Sequence, residues 1–114
     1  MKPFTFLKLL FTAILIGMLV VTVQASRAEN VFTAAARLWP DRWFIATLWD
    51  AYCGFLTFFA WVAYRETKMT ARVIWFVLIM TLGNIAMSAY VLIRLFRLPP
   101  NATARDLLLR GNAR

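Results

Sequence analysis

The sequence predicts an all-α integral membrane bundle of three transmembrane helices, with short interfacial helices in the first loop and in the C-terminal tail. Of its 114 residues, 62% are hydrophobic, and the mean hydropathy is +0.68, whereas soluble domains are only about 45–50% apolar. Three apolar runs approach or reach the roughly 20 residues that a helix needs to cross a bilayer. These spans and their connections occupy nearly all of residues 1–114, so we expect a single membrane domain.

The first predicted span covers residues 4–23. Only its part from 9 to 23 is free of charge, so the full span requires that Lys8 extend its amine back to the headgroups along its aliphatic stem. The segment also fits a secretory signal peptide, because Lys2 and Lys8 precede the apolar part and residues 23–25 resemble a small-residue cleavage site. The sequence leaves both interpretations open, and we favour the uncleaved span.

The second and third predicted spans have clearer boundaries. The second covers residues 43–64 and carries Trp43 and Tyr64 at its ends, where aromatic side chains favour the membrane interface. The third covers residues 73–93 and is followed by Pro99-Pro100, which cannot continue a helix. Both runs are long enough to cross the bilayer as continuous helices.

Two short helices are predicted outside the spans. Residues 30–39 form an interfacial segment that Asn30 caps. In the tail, residues 99–114, Thr103 and Asp106 have the spacing of a capping box and predict a second surface helix. The predicted interfacial anchors are Trp39, Trp43, Tyr64 and Arg65.

Polar residues recur inside the second and third spans at helical spacing. The second span carries four of them at steps of three, four and three, which places them in one stripe, and the third span carries three with the same spacing. They are Thr47, Asp50, Gly54 and Thr57 in the second span, and Thr81, Asn84 and Ser88 in the third. In an antiparallel hairpin the two rows lie at matching depths, so we predict that they face each other as an intramembrane polar seam.

Asp50 is the only acidic member of this predicted seam. It lies about 5 Å from the middle of its span at 1.5 Å per residue, and an ionised carboxylate there costs roughly 2.5–3.5 kcal/mol on insertion scales. Asp50 must therefore be protonated, paired or hydrated, and Arg94 is a possible charge partner. We favour a hydrogen bond that fixes two helices together over a relay for protons or cations.

Residue types that support metal and cofactor chemistry are scarce. Histidine is absent, which removes the commonest ligand of haem, zinc and copper and the usual general base near neutral pH. Cys53 is the only cysteine and lies in an apolar run, where a thiol behaves as a small hydrophobic side chain. The sequence therefore predicts no enzyme, no metal site and no cofactor.

The thirteen lysines and arginines outnumber the five acidic residues, but they lie between and beside the apolar runs. This placement predicts contact with anionic lipid headgroups rather than with nucleic acid. With three spans, the side that holds the N-terminus and the second loop carries the fewer basic residues, namely Lys2, Lys8, Arg65, Lys68 and Arg72. We nevertheless expect a cytoplasmic N-terminus in a bacterial cytoplasmic membrane, because the first helix often dominates orientation.

Three stretches carry a family resemblance. They are Thr47-Leu48-Trp49-Asp50-Ala51-Tyr52, Trp61-Val62-Ala63-Tyr64-Arg65-Glu66, and Ala89-Tyr90-Val91 with Leu95-Phe96-Arg97-Leu98. Through them, residues 43–98 resemble the family named domain of unknown function 1475, short membrane proteins of bacteria and plants. The resemblance implies a multi-pass membrane protein with Asp50 and Glu66 as positions of interest, and it implies no reaction.

Two functions fit these observations. The first is a non-catalytic accessory or assembly subunit that packs its helices against a larger membrane complex, as small size and a bulky aromatic surface suggest. The alternative is a small transporter or ion-conducting homo-oligomer that uses Asp50 and Asn84.

Overall fold

The computed structural model describes residues 4–99 and 101–109, and in these residues the regular structure is entirely α-helical. The helices are α1 (Thr5–Ala28), α2 (Val31–Leu38), α3 (Arg42–Arg65), α4 (Met69–Leu82), α5 (Asn84–Arg97) and α6 (Ala104–Leu108). Among them, α1 and α3 are long and apolar enough to cross a membrane, whereas α4 is apolar but shorter. The all-α prediction is confirmed, and the predicted bundle of three spans is not.

Helix α1 has 24 residues and extends beyond the predicted span of 4–23. Its first half packs against the core through Leu7 and Phe11, which contact the cluster around Val91 and Leu95 of α5. Every residue from 19 to 28 is exposed. The two halves of α1 therefore differ, since only the first is covered by the rest of the chain.

The predicted short helix of the first loop is present as α2. The Asn30 side chain accepts a hydrogen bond from the backbone N–H of Phe32 at 2.7 Å and so caps its first turn. Arg37 donates to both carboxylate oxygens of Glu29, at 2.5 and 3.2 Å. These bonds hold the pKa of Glu29 below its ordinary value, and they tie α2 to the end of α1.

The predicted third span, residues 73–93, is wrong as a continuous helix. Gly83 has φ 58° and ψ −124°, a conformation that essentially only glycine adopts. The ring of Phe55 lies where a side chain would begin, since a Cβ at Gly83 would be 2.7 Å from Phe55 Cζ. The length of the apolar run predicted a single span, but one glycine divides this run into α4 and α5.

The chain reverses direction at Gly83. The rings of Trp75 and Tyr90 lie 4.9 Å apart, whereas fifteen residues of continuous helix would separate them by about 22 Å. Helices α4 and α5 have 14 residues each, or about 21 Å, which is less than the ~30 Å of bilayer hydrocarbon. They form a short antiparallel hairpin, which we call the α4–α5 hairpin.

The α4–α5 hairpin covers only half of α3. Helix α3 runs antiparallel to α4, with the rings of Phe59 and Phe76 5.2 Å apart and Phe55 against Gly83. The hairpin tip therefore lies near the middle of α3. Its open end, which we call the hairpin base, lies beside the start of α1, the end of α3, and α6, because Leu107 joins the same cluster as Leu95.

Candidate functional site

Helix α3 meets the α4–α5 hairpin through aromatic and aliphatic side chains rather than through the predicted polar seam. Val62, Ile79 and Tyr90 are fully buried there, and Phe55 and Phe59 pack against them. The antiparallel arrangement of α3 and α4 agrees with the sequence, but the face by which α3 meets α4 does not. Large apolar side chains bury more surface than Thr or Gly and so determine the contact.

The predicted polar residues are mostly outside this contact. The exposed ones are Thr47, Asp50, Gly54, Thr57, Thr81 and Asn84, and only Ser88 is buried. The Thr47 hydroxyl donates to the Trp43 carbonyl at 2.8 Å, and Thr57 donates to the Cys53 carbonyl at 2.9 Å. Each threonine thus satisfies its donor within its own helix, and no partner on a neighbouring helix is needed.

Thr47, Asp50, Gly54 and Thr57 remain one row on α3, which we call the α3 stripe, and this row faces outward. Asp50 makes no hydrogen bond or ion pair with any residue that the structure describes. Arg94, the possible charge partner of Asp50, pairs with Glu66 instead. Because the chain reverses at Gly83, α5 carries Arg94 back to the hairpin base and away from the level of Asp50.

A buried polar cluster of Glu66, Tyr90 and Arg94, which we call the Glu66 cluster, lies at the hairpin base. Glu66 Oε2 accepts a hydrogen bond from the Tyr90 hydroxyl at 2.7 Å. It also forms an ion pair with the Arg94 guanidinium. Glu66 and Tyr90 are buried, and the Arg94 side chain is 20% exposed. The cluster joins the end of α3 to α5.

Aromatic rings enclose Tyr90 in the Glu66 cluster. Trp75, Trp61 and Phe58 meet it edge-on, with ring centroids 4.9, 5.5 and 6.2 Å away, and the Arg94 guanidinium lies 5.3 Å from its ring centre. Arg94 Nε is buried without a hydrogen-bond acceptor among the described residues. The resemblance named Glu66, but nothing in the spacing indicated its partners, because they depend on the turn at Gly83.

Helix α6 is bound to the end of α3 through its carbonyl groups. Arg65 Nε donates to the Leu107 carbonyl at 2.7 Å, and Trp61 Nε1 donates to the Leu108 carbonyl at 2.8 Å. The predicted cap is present, since Asp106 accepts from the Thr103 N–H at 2.9 Å. Residues 100 and 110–114 of the predicted tail lie outside the described residues.

The other predicted anchors lie at the surface. Trp39, Trp43 and Tyr64 are exposed. Arg65 differs from them, because its guanidinium holds α6 as just described. An apolar groove of about 300 Å³ also lies along α3, lined by Leu48, Trp49, Tyr52, Cys53 and Leu56.

The described residues contain no group of three His, Cys, Asp or Glu side chains placed to hold a metal ion. The polar side chains that the fold brings together, those of the Glu66 cluster, are joined to one another rather than presented to a cavity. Their arrangement supports helix packing. On α3, the α3 stripe faces outward.

Comparison with known proteins extends the resemblance seen in the sequence. The chain matches no curated protein and no solved structure. The model of one family, described as protein of unknown function (DUF1475), matches residues 4–111 and thus includes α1 and α6 as well as the stretches that first indicated it. The chain belongs to the DUF1475 family.

Proposed function

We propose that the protein is an integral membrane subunit in which α1 and α3 cross the bilayer and the α4–α5 hairpin enters it from one side. The length and apolarity of α1 and α3 support two crossings. The short helices of the hairpin suit a re-entrant element, because its tip lies at the middle of α3. In this placement α1 is retained rather than cleaved, since its first half packs against α5.

The distribution of basic residues supports one orientation of this arrangement. Seven described basic residues lie at the hairpin base, and three lie at the other end of the spans. The seven are Lys8, Arg65, Lys68, Arg72, Arg94, Arg97 and Arg105, and the three are Arg27, Arg37 and Arg42. By the positive-inside rule the hairpin base is cytoplasmic, which also places the start of α1 there and brings the base to anionic headgroups.

Within the membrane, we propose a non-catalytic accessory or assembly role. The observation that carries it is the outward-facing Asp50, near mid-span and without a partner among the described residues. A carboxyl group in hydrocarbon requires a hydrogen-bonding partner or water. Packing of α3 against another membrane helix would supply that partner.

Purification from native membranes tests this role. The tagged protein is extracted in a mild detergent, and co-purifying proteins are identified by mass spectrometry. We expect at least one membrane protein to be retained by the wild type and lost from Asp50→Leu, while Leu56→Ala, on the groove side of α3, retains it. Migration of the wild type without any other protein would argue strongly against an accessory role.

A second function, a small transporter or ion-conducting oligomer, is favoured by the hairpin tip. Helix α5 begins there at Asn84, and its N-terminus has no side-chain cap. Uncapped N–H groups at mid-membrane are tolerated where they line a water-filled cavity, and such half-helix ends bind ions in transporters. Asn84 and Asp50 are both exposed near this level.

Flux into liposomes that contain the purified protein tests the transport function. Asp50→Asn and Asn84→Leu should each abolish the flux of a permeant ion, while Thr33→Ala on α2 should leave it unchanged. Equal flux in all four proteins, with equal insertion, would exclude the transport function.

A further inference from the structure

The charges at the two ends of the proposed spans are balanced differently. At the end away from the hairpin base, three basic residues of the described chain are accompanied by two acidic ones, and Arg37 pairs with Glu29. The hairpin base holds seven basic residues of the described chain and only two acidic ones. Both acids are engaged within the protein, because Glu66 pairs with Arg94 and Asp106 caps α6. The base therefore carries positive charge that the described chain does not neutralise.

Three of these basic residues lie at the open end of the hairpin, next to the Glu66 cluster. They are Lys68, Arg72 and Arg97, which we call the base cations. Lys68 immediately precedes α4 and follows Glu66 by two residues, which span at most about 7 Å. Arg97 ends α5 and lies one turn beyond Arg94 on the same side of that helix, about 4.5 Å closer to the base. The base cations are thus grouped around one ion pair.

The base cations have donors that the fold leaves unused. Arg72 Nε donates to the Ala63 and Glu66 carbonyls, at 2.9 and 3.0 Å, which fixes its guanidinium at the end of α3. The terminal nitrogens of Arg72 make no hydrogen bond with any residue that the structure describes. The Lys68 and Arg97 side chains are exposed and have neither a hydrogen bond nor an ion pair within the described chain. An external anion can therefore bind to all three.

An apolar surface of α4 continues from the base cations towards the hairpin tip. Met69, Val73 and Val77 follow one another at helical spacing, and they are 65, 54 and 53% exposed. In the proposed placement, the cations lie at the level of the headgroups and this aliphatic surface at the level of the acyl chains. A phospholipid has its phosphate and its acyl chains in the same order. An acidic soluble protein would match the charges and leave the aliphatic surface uncovered.

From this match we infer that the hairpin base binds an anionic phospholipid, with its phosphate at Lys68, Arg72 and Arg97 and its acyl chains along the exposed surface of α4. Guanidinium and ammonium groups form charge-assisted hydrogen bonds with phosphate oxygens, and basic pockets at the cytoplasmic side of membrane helices bind such headgroups. The bound lipid joins the start of α4 to the end of α5. The inference rests on the membrane placement proposed above, and it makes the stability of the hairpin depend on lipid charge.

Native mass spectrometry of the protein in detergent tests the site by counting bound lipid molecules. Dioleoylphosphatidylglycerol is the anionic probe, and dioleoylphosphatidylcholine, with the same acyl chains and no net charge, is its control. We expect the wild type to bind one phosphatidylglycerol molecule clearly more tightly than phosphatidylcholine. Lys68→Gln combined with Arg97→Gln should weaken phosphatidylglycerol binding roughly 25-fold, about fivefold for each charge. Arg72 is left intact because it also holds the end of α3.

A matched variant separates the site from the total charge of the protein. Arg27→Gln combined with Arg42→Gln removes the same charge from exposed positions at the other end of the spans, and it should leave phosphatidylglycerol binding unchanged. Equal binding of the two lipids by the wild type would overturn the inference. An equal loss of binding in the two double variants would also overturn it.

Thermal unfolding separates lipid binding from folding. In phosphatidylcholine micelles, the Lys68 and Arg97 double variant should unfold at the same temperature as the wild type, because neither side chain has a polar contact in the described chain. Added phosphatidylglycerol should raise the Tm of the wild type and of the Arg27 and Arg42 double variant, but not that of the Lys68 and Arg97 variant. Glycerol 3-phosphate, a phosphate without acyl chains, should raise none of them. An equal effect of glycerol 3-phosphate and phosphatidylglycerol would overturn a lipid site.

The outcomes distinguish this inference from the proposed function. Release of the wild type from native membranes by sodium carbonate would overturn the membrane placement and the lipid site together. A wild type that stays in the membrane, retains a partner protein and binds both lipids equally would overturn the lipid site alone. An acidic protein that co-purifies with the wild type and is lost from the Lys68 and Arg97 variant, without a change in lipid binding, would assign the base to that protein and overturn the inference.

Discussion

Gly83 determines the path of the C-terminal half of the chain. Its backbone conformation is strongly unfavourable for any residue that has a Cβ atom, and the Phe55 ring occupies the space beside its Cα. The flanking residues are apolar and helical on both sides. The turn therefore depends on one residue rather than on a cluster of turn-forming residues.

Substitution of Gly83 should consequently destabilise the protein. We expect Gly83→Ala to lower the free energy of unfolding by about 2 kcal/mol or more, from backbone strain and from displacement of the Phe55 ring. Reversible denaturation in mixed micelles measures the change. Gly17→Ala, a helical glycine with open space, is the matched control and should not destabilise; equal stability of Gly83→Ala and wild type would contradict the observed turn.

The Glu66 cluster should show energetic coupling between its charged members. Arg94→Met leaves the buried Glu66 carboxylate without its ion pair and should cost about 2–3 kcal/mol, somewhat below the value for a fully buried pair because Arg94 is partly exposed. Adding Glu66→Gln removes the unpaired charge and still offers an acceptor to Tyr90. The double variant should lose about 1–3 kcal/mol less than the sum of the two single losses.

The same micelle denaturation measures this cycle. The exposed pair of Glu29 and Arg37, with 30% and 59% of the side chains accessible, provides a control cycle. Its coupling should be much weaker, because solvent screens exposed charges. Additive losses at Glu66 and Arg94 would show that their contact does not contribute to stability.

At the level of helices, the sequence correctly predicts the features that depend on a helix's own residues. The apolar lengths of α1 and α3, the Asn30 cap of α2 and the Asp106 cap of α6 are all local properties. The predicted contact face of α3 is wrong because buried apolar area, rather than hydrogen-bonding potential, determines how α3 packs against α4. The partners of Glu66 are not predictable from the sequence, because they depend on the chain reversal at Gly83. The uninterrupted apolar run around this glycine gives no indication of a turn.

The attachment of α6 to α3 gives a prediction at this level. Trp61→Phe removes the indole N–H that binds the Leu108 carbonyl, a bond worth about 1 kcal/mol. Trypsin cleavage at Arg105 should become roughly fivefold faster, provided that α6 opens rapidly compared with cleavage. Trp49→Phe, on the same helix but exposed and without a polar contact, should leave the cleavage rate unchanged; an unchanged rate in Trp61→Phe would show that this bond does not hold α6.

At the level of the whole molecule, the α4–α5 hairpin determines the membrane topology that we propose. A continuous third span would place the second loop and the tail on opposite sides of the membrane, whereas the proposed re-entrant hairpin places them on the same side. The distribution of basic residues changes accordingly. Three spans leave most basic residues on the side away from the N-terminus, whereas the hairpin gathers them at its base.

Labelling of single cysteines with a membrane-impermeant maleimide separates the two topologies. In a Cys53→Ala background, Thr67→Cys in the second loop and Asn101→Cys after α5 should be labelled from the same side, and Thr33→Cys in α2 from the other. All three positions are exposed. Labelling of Asn101→Cys together with Thr33→Cys would instead require a third full crossing.

The proposed insertion of the α4–α5 hairpin to only half the depth of the bilayer would also give the molecule a taper. In the proposed placement, one leaflet accommodates four helices and the opposite leaflet only α1 and α3. The lipids of the two leaflets therefore face unequal protein cross-sections. Such a wedge is best accommodated where the membrane bends towards its narrow end, so the bilayer itself would favour curved regions for this protein.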